Sequence, residues 1–591
     1  MKASDYLAAF LVKNGIHHVF QVIGGASVHM VNSLDDQKGM NYICVNHEQA
    51  ATMAAEAYAR MTKNMGAAMA TSGPGMTNLI TGIGCAYFDS IPIICITGQV
   101  NTFESKGKSR ARQIGFQETD IVKMVKPITK FSVQVTDPDD LKYLLEKAVA
   151  IAKSGRPGPV LIDIPMDIQR AEIDPKKLKS FNGSELKEDL DDIKTIEDKI
   201  LQTIELIQKA KRPVVIAGGA IRYADQVDKF ENLIDILGFP VVATWSGIDV
   251  LPHDHPLYRG QIGVYGARGA NFTIQNSDCI ISIGSRLDTR ITGGKPETFA
   301  RAAKKIVVDI DRAELYKNRG LTPDVGLCSN VAQVIPLLIK SAEKIKIPDV
   351  TSWKKKTLEW KNKYPQVLSS WRRRKSKVDP YVFMEALSNS LSGKDIVVTD
   401  CGANLTWTIQ GFNVKRGLRL FSAMGNSPMA YAFPASIGAS IALNKKPVVC
   451  IIGDGGFQMN IQELQTMIYH KLPIKIFIIN NHSYGIIKQF QEMYFHGKYV
   501  ATTPESGYSV PDFIKIAKAY GVATETIRNH KELYPKIKKV LACKGSILCD
   551  VIIPDDSKLI PKLEFGKPIE DLSPLLPRKE FLGNMIVDPD K

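Results

Sequence analysis

A carboxylate and a carboxamide stand at the ends of two apolar runs in the last third of the chain. Val448–Ile452 reads as a buried strand running into Gly453-Asp454-Gly455-Gly456, a turn without large side chains. Ile474–Ile479 reads as a second strand, ending in Asn480-Asn481. A helix-like segment around Gln462–His470 joins them, giving a strand–turn–helix–strand crossover between parallel strands. Parallel strands put their carboxyl ends on one edge of a sheet, where ligands bind, so Asp454 and Asn481 share that edge. Their oxygens are hard ligands suited to a Mg²⁺ ion that also holds phosphates, and Gly453 and Gly455 let a diphosphate come close to the backbone. A lone Gly-Asp-Gly turn is usually only a turn. Here both motifs follow apolar strands, and twenty-four residues separate Gly455 from Asn480.

That pairing resembles the signature of thiamine diphosphate (ThDP) enzymes, GDG followed by NN at about this spacing. Earlier in the chain, Tyr42–Asn46 reads as a strand leading into His47-Glu48-Gln49-Ala50-Ala51 and a helix of small residues, suited to close packing on a sheet or a second subunit. Alone, Glu48 would be a helix-start acid favoured by the helix dipole. It is followed by the strand Ala67–Thr71, the Gly-rich turn Ser72-Gly73-Pro74-Gly75-Met76-Thr77-Asn78 and the strand Ile91–Thr97. This block, HEQAA…TSGPGMTNLITGIGCAYFDSIPIICITGQV, closely resembles the pyrimidine-binding domain of the acetolactate synthase (acetohydroxyacid synthase) large-subunit family.

The resemblance implies three doubly wound parallel-sheet α/β domains: a pyrimidine domain at 1–170, a central flavin domain at 198–345 and a diphosphate domain at 379–555, followed by a tail at 556–591. It implies ThDP, Mg²⁺ and FAD as cofactors. Glu48 would contact the aminopyrimidine ring, where a carboxylate on N1′ favours the imino tautomer that takes the thiazolium C2 proton. Gln117, in FQE, would reach the active-site edge. Gly24, Pro74 and Asn78 fall on the cofactor side of the first domain. Met429 would support the cofactor's bent shape, Gly456 and Gly485 would join the diphosphate loop, and the metal ligands would be Asp454, Asn481 and a backbone carbonyl near Ser483. In this family pyrimidine and diphosphate are bound by different subunits, so a homodimer or homotetramer is expected.

In the middle domain, Pro213–Ala217 ends in Gly218-Gly219-Ala220, Cys279–Ile283 ends in Gly284-Ser285-Arg286-Leu287-Asp288, and Ile306–Asp309 ends in Asp309-Ile310-Asp311. Gly and Asp at successive strand ends are dinucleotide-like, without a GxGxxG. By themselves they show a Rossmann-like domain, and one that has lost its flavin would share them. The resemblance adds the flavin, through the GGA turn, Gly263, Gly266 and Arg268 of GxxGxRGAN, Arg286, Asp288 and Arg290 of SRLDTRITG, and Asp309 and Asp311 of VDIDRAE.

Composition bounds the rest. At 591 residues, about 150 per domain predicts three or four domains. The chain is 44% hydrophobic and 23% charged, without eighteen consecutive apolar residues, so no membrane-spanning helix is expected. The start, with Asp5 and no long apolar core, reads as an amphipathic helix and not a signal peptide. Nine cysteines without a CxxC pair read as free thiols, which points to the cytoplasm. The net charge of +15 is spread out, apart from Lys354–Lys356 and Arg372–Lys375 on an expected exposed helix and linker at 346–378. A solvated face and no nucleic-acid partner are the expectation. Lys106, Lys108, Arg110 and Arg112 form a basic loop, which serves as a solvated loop or as a phosphate clamp. Residues 167–197 read as a polar linker.

The acceptor side departs from the family. Ile486 replaces the Met of NNxxxGMVxQW, Phe490 replaces its Trp, Met166 stands where IPKDV has Lys, and SGGLGTMGFGLPA has become Ser422–Pro434. Cofactor chemistry is retained while the acceptor pocket is altered. Three readings follow: a carboligase joining pyruvate to a second 2-keto acid, the same donor chemistry with a nucleotide-linked keto-deoxysugar as acceptor, or a non-catalytic scaffold. Intact Glu48, Asp454 and Asn481 speak against the last.

Overall fold

The computed structural model describes residues 1–317, 319–374 and 377–590. Lys375, in the second basic run, lies outside them. The apolar runs pair into three sheets, each of six parallel strands. In spatial order the first sheet contains Asn41–Cys44, His18–Gln21, Gly66–Ala70, Ile93–Gln99, Val160–Pro165 and Phe131–Gln134. The third contains Arg419–Phe421, Ile396–Thr399, Val448–Gly453, Ile474–Asn480, Ile547–Ile552 and Ala523–Ile527. The central strands of both are buried along their whole length, so they are mostly apolar on both faces and do not alternate between buried and exposed residues.

These two sheets share one strand order, and the middle sheet differs. Its strands run Val325–Cys328, Lys304–Asp309, Cys279–Ile283, Pro213–Ala217, Val241–Ala243, Tyr258–Gln261. Counted in chain order from Pro213–Ala217, that is the 3-2-1-4-5-6 order of a dinucleotide-binding fold, with its switch point between Pro213–Ala217 and Cys279–Ile283.

The units are joined through a common core. The small-residue helix Glu48–Thr62 packs on Ala432–Ala442 of the third unit in the same chain, so closely that a Cβ at Gly438 would overlap the Ala54 carbonyl. A buried ionic cluster binds all three units. Arg60 donates to Glu56, to Asp89 Oδ2 at 2.6 Å and to the Tyr223 hydroxyl at 2.6 Å, while Glu56 accepts from the Tyr431 hydroxyl.

Two connecting segments differ from expectation. The basic stretch at 346–378 is not an exposed linker. Its helix Thr351–Lys363 buries Trp353 and Trp360 against the middle unit, Trp353 donating to the Pro213 carbonyl at 3.0 Å, while Lys355 and Lys363 are exposed and the half-buried Lys361 donates to the His253 and Tyr258 carbonyls. The expected turn at Gly453–Gly456 is the last residue of a strand followed at once by a helix, Asp454–Met459.

Candidate active site

The third sheet places the two predicted metal ligands side by side. Its strands Val448–Gly453 and Ile474–Asn480 pair in register, Gly453 opposite Ile479, so Asp454 and Asn481 leave the same edge. Asp454 is 3% exposed. Its Oδ1 accepts from the Gly455 N–H at 2.8 Å and the Tyr508 hydroxyl at 3.0 Å, while Oδ2 is buried with no hydrogen-bond partner. Burial pushes this carboxyl up, and with those hydrogen bonds pulling against it the rise stops at about 6. Asn481 Nδ2 donates to Ser483 Oγ at 2.9 Å and lies against Gly485, which fixes the amide so that its oxygen is the free end. An orphaned carboxylate oxygen beside a carboxamide oxygen fits a hard divalent cation.

Around this pair the backbone is pressed close. A Cβ at Gly455 would come within 2.6 Å of the Tyr484 ring and 3.3 Å of Met429 Cε, and one at Gly456 would overlap Asp400 Oδ2. Asp400 ends the neighbouring strand, Ile396–Thr399, and accepts from the Ala430 and Ala432 N–H groups, both at 3.0 Å. It thereby pins Met429 beside the Asp454 helix, with Ala430 held at φ +71°. Asp400 and Asp454 flank the point where the strand order of this sheet reverses.

The first sheet builds the second cluster at its own reversal point. Gly24 packs against Thr71, whose hydroxyl accepts from the Ala26 N–H at 3.2 Å. Pro74 opens a short helix, Pro74–Asn78, and Asn78 Nδ2 donates to Glu48 Oε2 at 2.9 Å. Glu48 Oε1 lies 3.3 Å from where a Gly75 Cβ would stand. Gln117 sits against Gly73 at φ +64°, at the end of a loop closed around the Glu118 carboxylate. The basic residues Lys108, Arg110 and Arg112 on that loop are exposed, as is Phe116 at 84%.

In the middle unit a groove opens at the switch point. It is lined by Gly219 after one flanking strand, by Gly284, Ser285, Arg286, Asp288 and Arg290 after the other, and by Asp309 at the end of the next. A Cβ at Gly219 would come within 2.8 Å of Ser246, and one at Gly218, just behind, would overlap the Gly284 carbonyl. Burial pushes the Asp309 carboxyl up to about 6. Asp311 stands beside the groove, taking Arg156 of the first unit at 3.1 Å. Close backbone approach, two arginines and an acid at a strand end fit a dinucleotide such as FAD.

The comparisons with known proteins agree with this architecture. Residues 1–124 match the thiamine pyrophosphate enzyme N-terminal TPP binding domain, 200–338 the central domain and 400–551 the C-terminal TPP binding domain. The acetolactate synthase large subunit of Pyropia yezoensis is 34% identical over 567 residues, covering 94% of this chain and 92% of that protein. The chloroplastic acetolactate synthase 3 of Brassica napus is 33% identical, covering 97% of this chain and 86% of its own. The chain belongs to the acetolactate synthase large-subunit family. It is therefore a ThDP-dependent enzyme, and the two strand-edge clusters occupy its two TPP binding domains.

One predicted flavin residue falls elsewhere. Arg268 does not line the middle groove. Its guanidinium turns to the tail, donating to the Leu572 carbonyl at 2.9 Å and to the Pro574 carbonyl. Met166 opens the helix Met166–Arg170 at the edge of the first sheet, whereas Ile486 and Phe490 lie on Gly485–Tyr494 in the third unit. The described part of the tail, 556–590, straps the middle unit and this last helix, Asn271 donating to the Ile569 carbonyl at 2.7 Å and Gln489 to the Leu559 carbonyl at 3.1 Å. Tyr508, Asp400 and Arg156 were not singled out by the sequence. Asp400 alone carried a signal, as an acid at a strand end. Among the described residues no helix is long and apolar enough to cross a membrane.

Proposed function

We propose that this chain is a Mg²⁺- and ThDP-dependent carboligase that decarboxylates pyruvate and transfers the remaining two-carbon unit to a carbonyl acceptor. Pyruvate loses its C1–C2 bond as CO₂, a new bond forms from C2 to the acceptor's carbonyl carbon, and the acceptor oxygen takes a proton, with no net redox change. The buried, partnerless Oδ2 of Asp454 beside Asn481 supports this reading most directly, since it needs a cation to complete it. ThDP, when bound, supplies the nucleophilic carbon and the electron sink for decarboxylation.

The protein's part is positional. Asp454, Asn481 and the Ser483 carbonyl would hold the metal, Met429 would press on the cofactor from the segment pinned by Asp400, and Glu48, steadied by Asn78, would hold a proton at the pyrimidine ring. FAD would lie in the middle groove on Gly219, Arg286, Asp288, Arg290 and Asp309. A homodimer is the minimal active form in this reading. The exposed Phe116 beside Gln117 favours a site completed by a second copy.

A second 2-keto acid, as the names of the relatives suggest, is the first acceptor to test. The exposed cations of the Lys106–Arg112 loop favour a nucleotide-linked keto-deoxysugar as the second reading. Incubating the purified protein with pyruvate, Mg²⁺ and ThDP, alone and with each acceptor, and identifying the products by mass spectrometry tests both. Failure to consume pyruvate under every condition rejects the proposal.

A further inference from the structure

One lysine in the tail is buried where an apolar side chain would serve the fold better. Lys562 is 3% exposed. Its ammonium lies 3.6 Å from the centre of the Phe490 ring, and its one hydrogen bond among the described residues goes to the Met493 thioether at 3.3 Å. A thioether is a weak acceptor, so the remaining N–H groups have no partner of comparable strength. A cation over an aromatic ring is worth about 0.5–2 kcal/mol, less than the several kcal/mol that burying an ammonium costs. The fold alone does not account for this side chain.

The backbone around it is held firmly. Lys562 exchanges hydrogen bonds with Ser573 at 2.9 and 2.7 Å, and the next N–H, of Leu563, donates to the Val264 carbonyl at 2.7 Å. The Val264 N–H donates in turn to the Arg290 carbonyl at 2.9 Å, so tail and groove meet across one residue. Phe565 stacks on Tyr494 at 4.7 Å, and Lys558 pairs with Glu492 at 2.5 Å, fixing the tail along the helix Gly485–Tyr494. That helix begins directly after the Asn481–Ser483 segment. Ile486 on its first turn lies beside Gly402, which caps the helix after the strand Ile396–Thr399, and Phe490 is four residues on, on the same face. The Lys562 ammonium therefore stands one helical turn beyond the cofactor edge of the third unit.

We propose that Lys562 is a specificity-determining residue of the acceptor site, its ammonium binding the anionic group of the acceptor, a carboxylate or a phosphate. This rests on the carboligase reading above. A bound anion would supply the missing hydrogen-bond partner and offset the cost of burial. Burial also holds the ammonium's pKa down to about 8, which such an anion would raise again.

The test compares the parent with Lys562→Met and Lys562→Arg, using 2-ketobutyrate as an anionic acceptor, propanal as a neutral one and UDP as an inhibitor. The expected result is a rise of about tenfold or more in the ratio of KM for 2-ketobutyrate to KM for propanal in Lys562→Met, for a carboxylate-bearing acceptor. For a phosphate-bearing acceptor, an equal weakening of UDP inhibition is expected instead. Lys562→Arg should restore most of the loss, and Lys562→Met should melt no lower than the parent. An unchanged ratio together with unchanged UDP inhibition overturns the inference, as does equal loss on both acceptors with a lowered Tm, which would mark a structural lysine. If the parent consumes no pyruvate, the carboligase reading itself fails. If pyruvate is consumed and neither arm moves, only the role of Lys562 fails.

Discussion

Asp454→Asn separates the metal from the fold. The substitution keeps the shape of the side chain and its contact with Gly455, and removes the charge. In the metal-free protein Oδ2 is a buried oxygen without a partner, a state that costs about 1–3 kcal/mol, and more for a charged group. Removing the charge relieves part of that cost, so the metal-free variant should unfold at the same temperature as the parent or higher. The parent should gain about 2.7 kcal/mol from Mg²⁺ and ThDP at a hundredfold excess over Kd, and the variant should gain almost none. Thermal unfolding of both proteins, with and without Mg²⁺ and ThDP together, reads this directly. The reasoning is refuted if Asp454→Asn is stabilised by Mg²⁺ and ThDP as much as the parent. It is also refuted if the metal-free variant is strongly destabilised, since that would make Asp454 a structural group.

Other outcomes follow from the same geometry. Glu48→Gln keeps an oxygen to accept from Asn78, so it should still bind ThDP while C2 proton exchange of the bound cofactor, followed by NMR, slows about 10²–10⁴-fold. Gly219→Val should displace Ser246 and strip flavin absorbance from the purified protein, whereas the parent should be yellow. Saturation by an anionic acceptor should weaken as pH rises through about 8, as Lys562, depressed by burial and with Glu564 nearby, loses its proton; a flat acceptor KM across that range would contradict it.

The parts of the site legible in the sequence were those made by neighbours in the chain. Asp454 and Asn481 could be placed on one edge because each directly follows a strand of the same crossover, and parallel pairing does the rest. The three parallel sheets followed from runs of apolar residues too short for helices and bounded by glycine and aspartate. What escaped depends on distant segments. Tyr508 meets Asp454 from 54 positions away, and Asp400 fastens the Met429 segment from 30. Arg268 sits in a glycine-bearing run like a cofactor motif, yet the face it takes on the helix Arg268–Gln275 turns it to tail carbonyls some 300 residues on. The basic stretch around Trp353 and Trp360 looked solvated because its charges are counted easily, while the partner that buries its indoles is the middle unit. Lys562 reads as one more lysine in a proline-rich tail until the tail is seen lying on Phe490.

The central claim is that this chain uses ThDP to break the C1–C2 bond of pyruvate. The most direct measurement is release of ¹³CO₂ from pyruvate labelled at C1, with purified protein and Mg²⁺, before and after adding ThDP, for the parent and for Glu48→Gln. The account predicts ThDP-dependent release by the parent and a loss of orders of magnitude in the variant. Release that ignores ThDP, or that Glu48→Gln leaves intact, would contradict it.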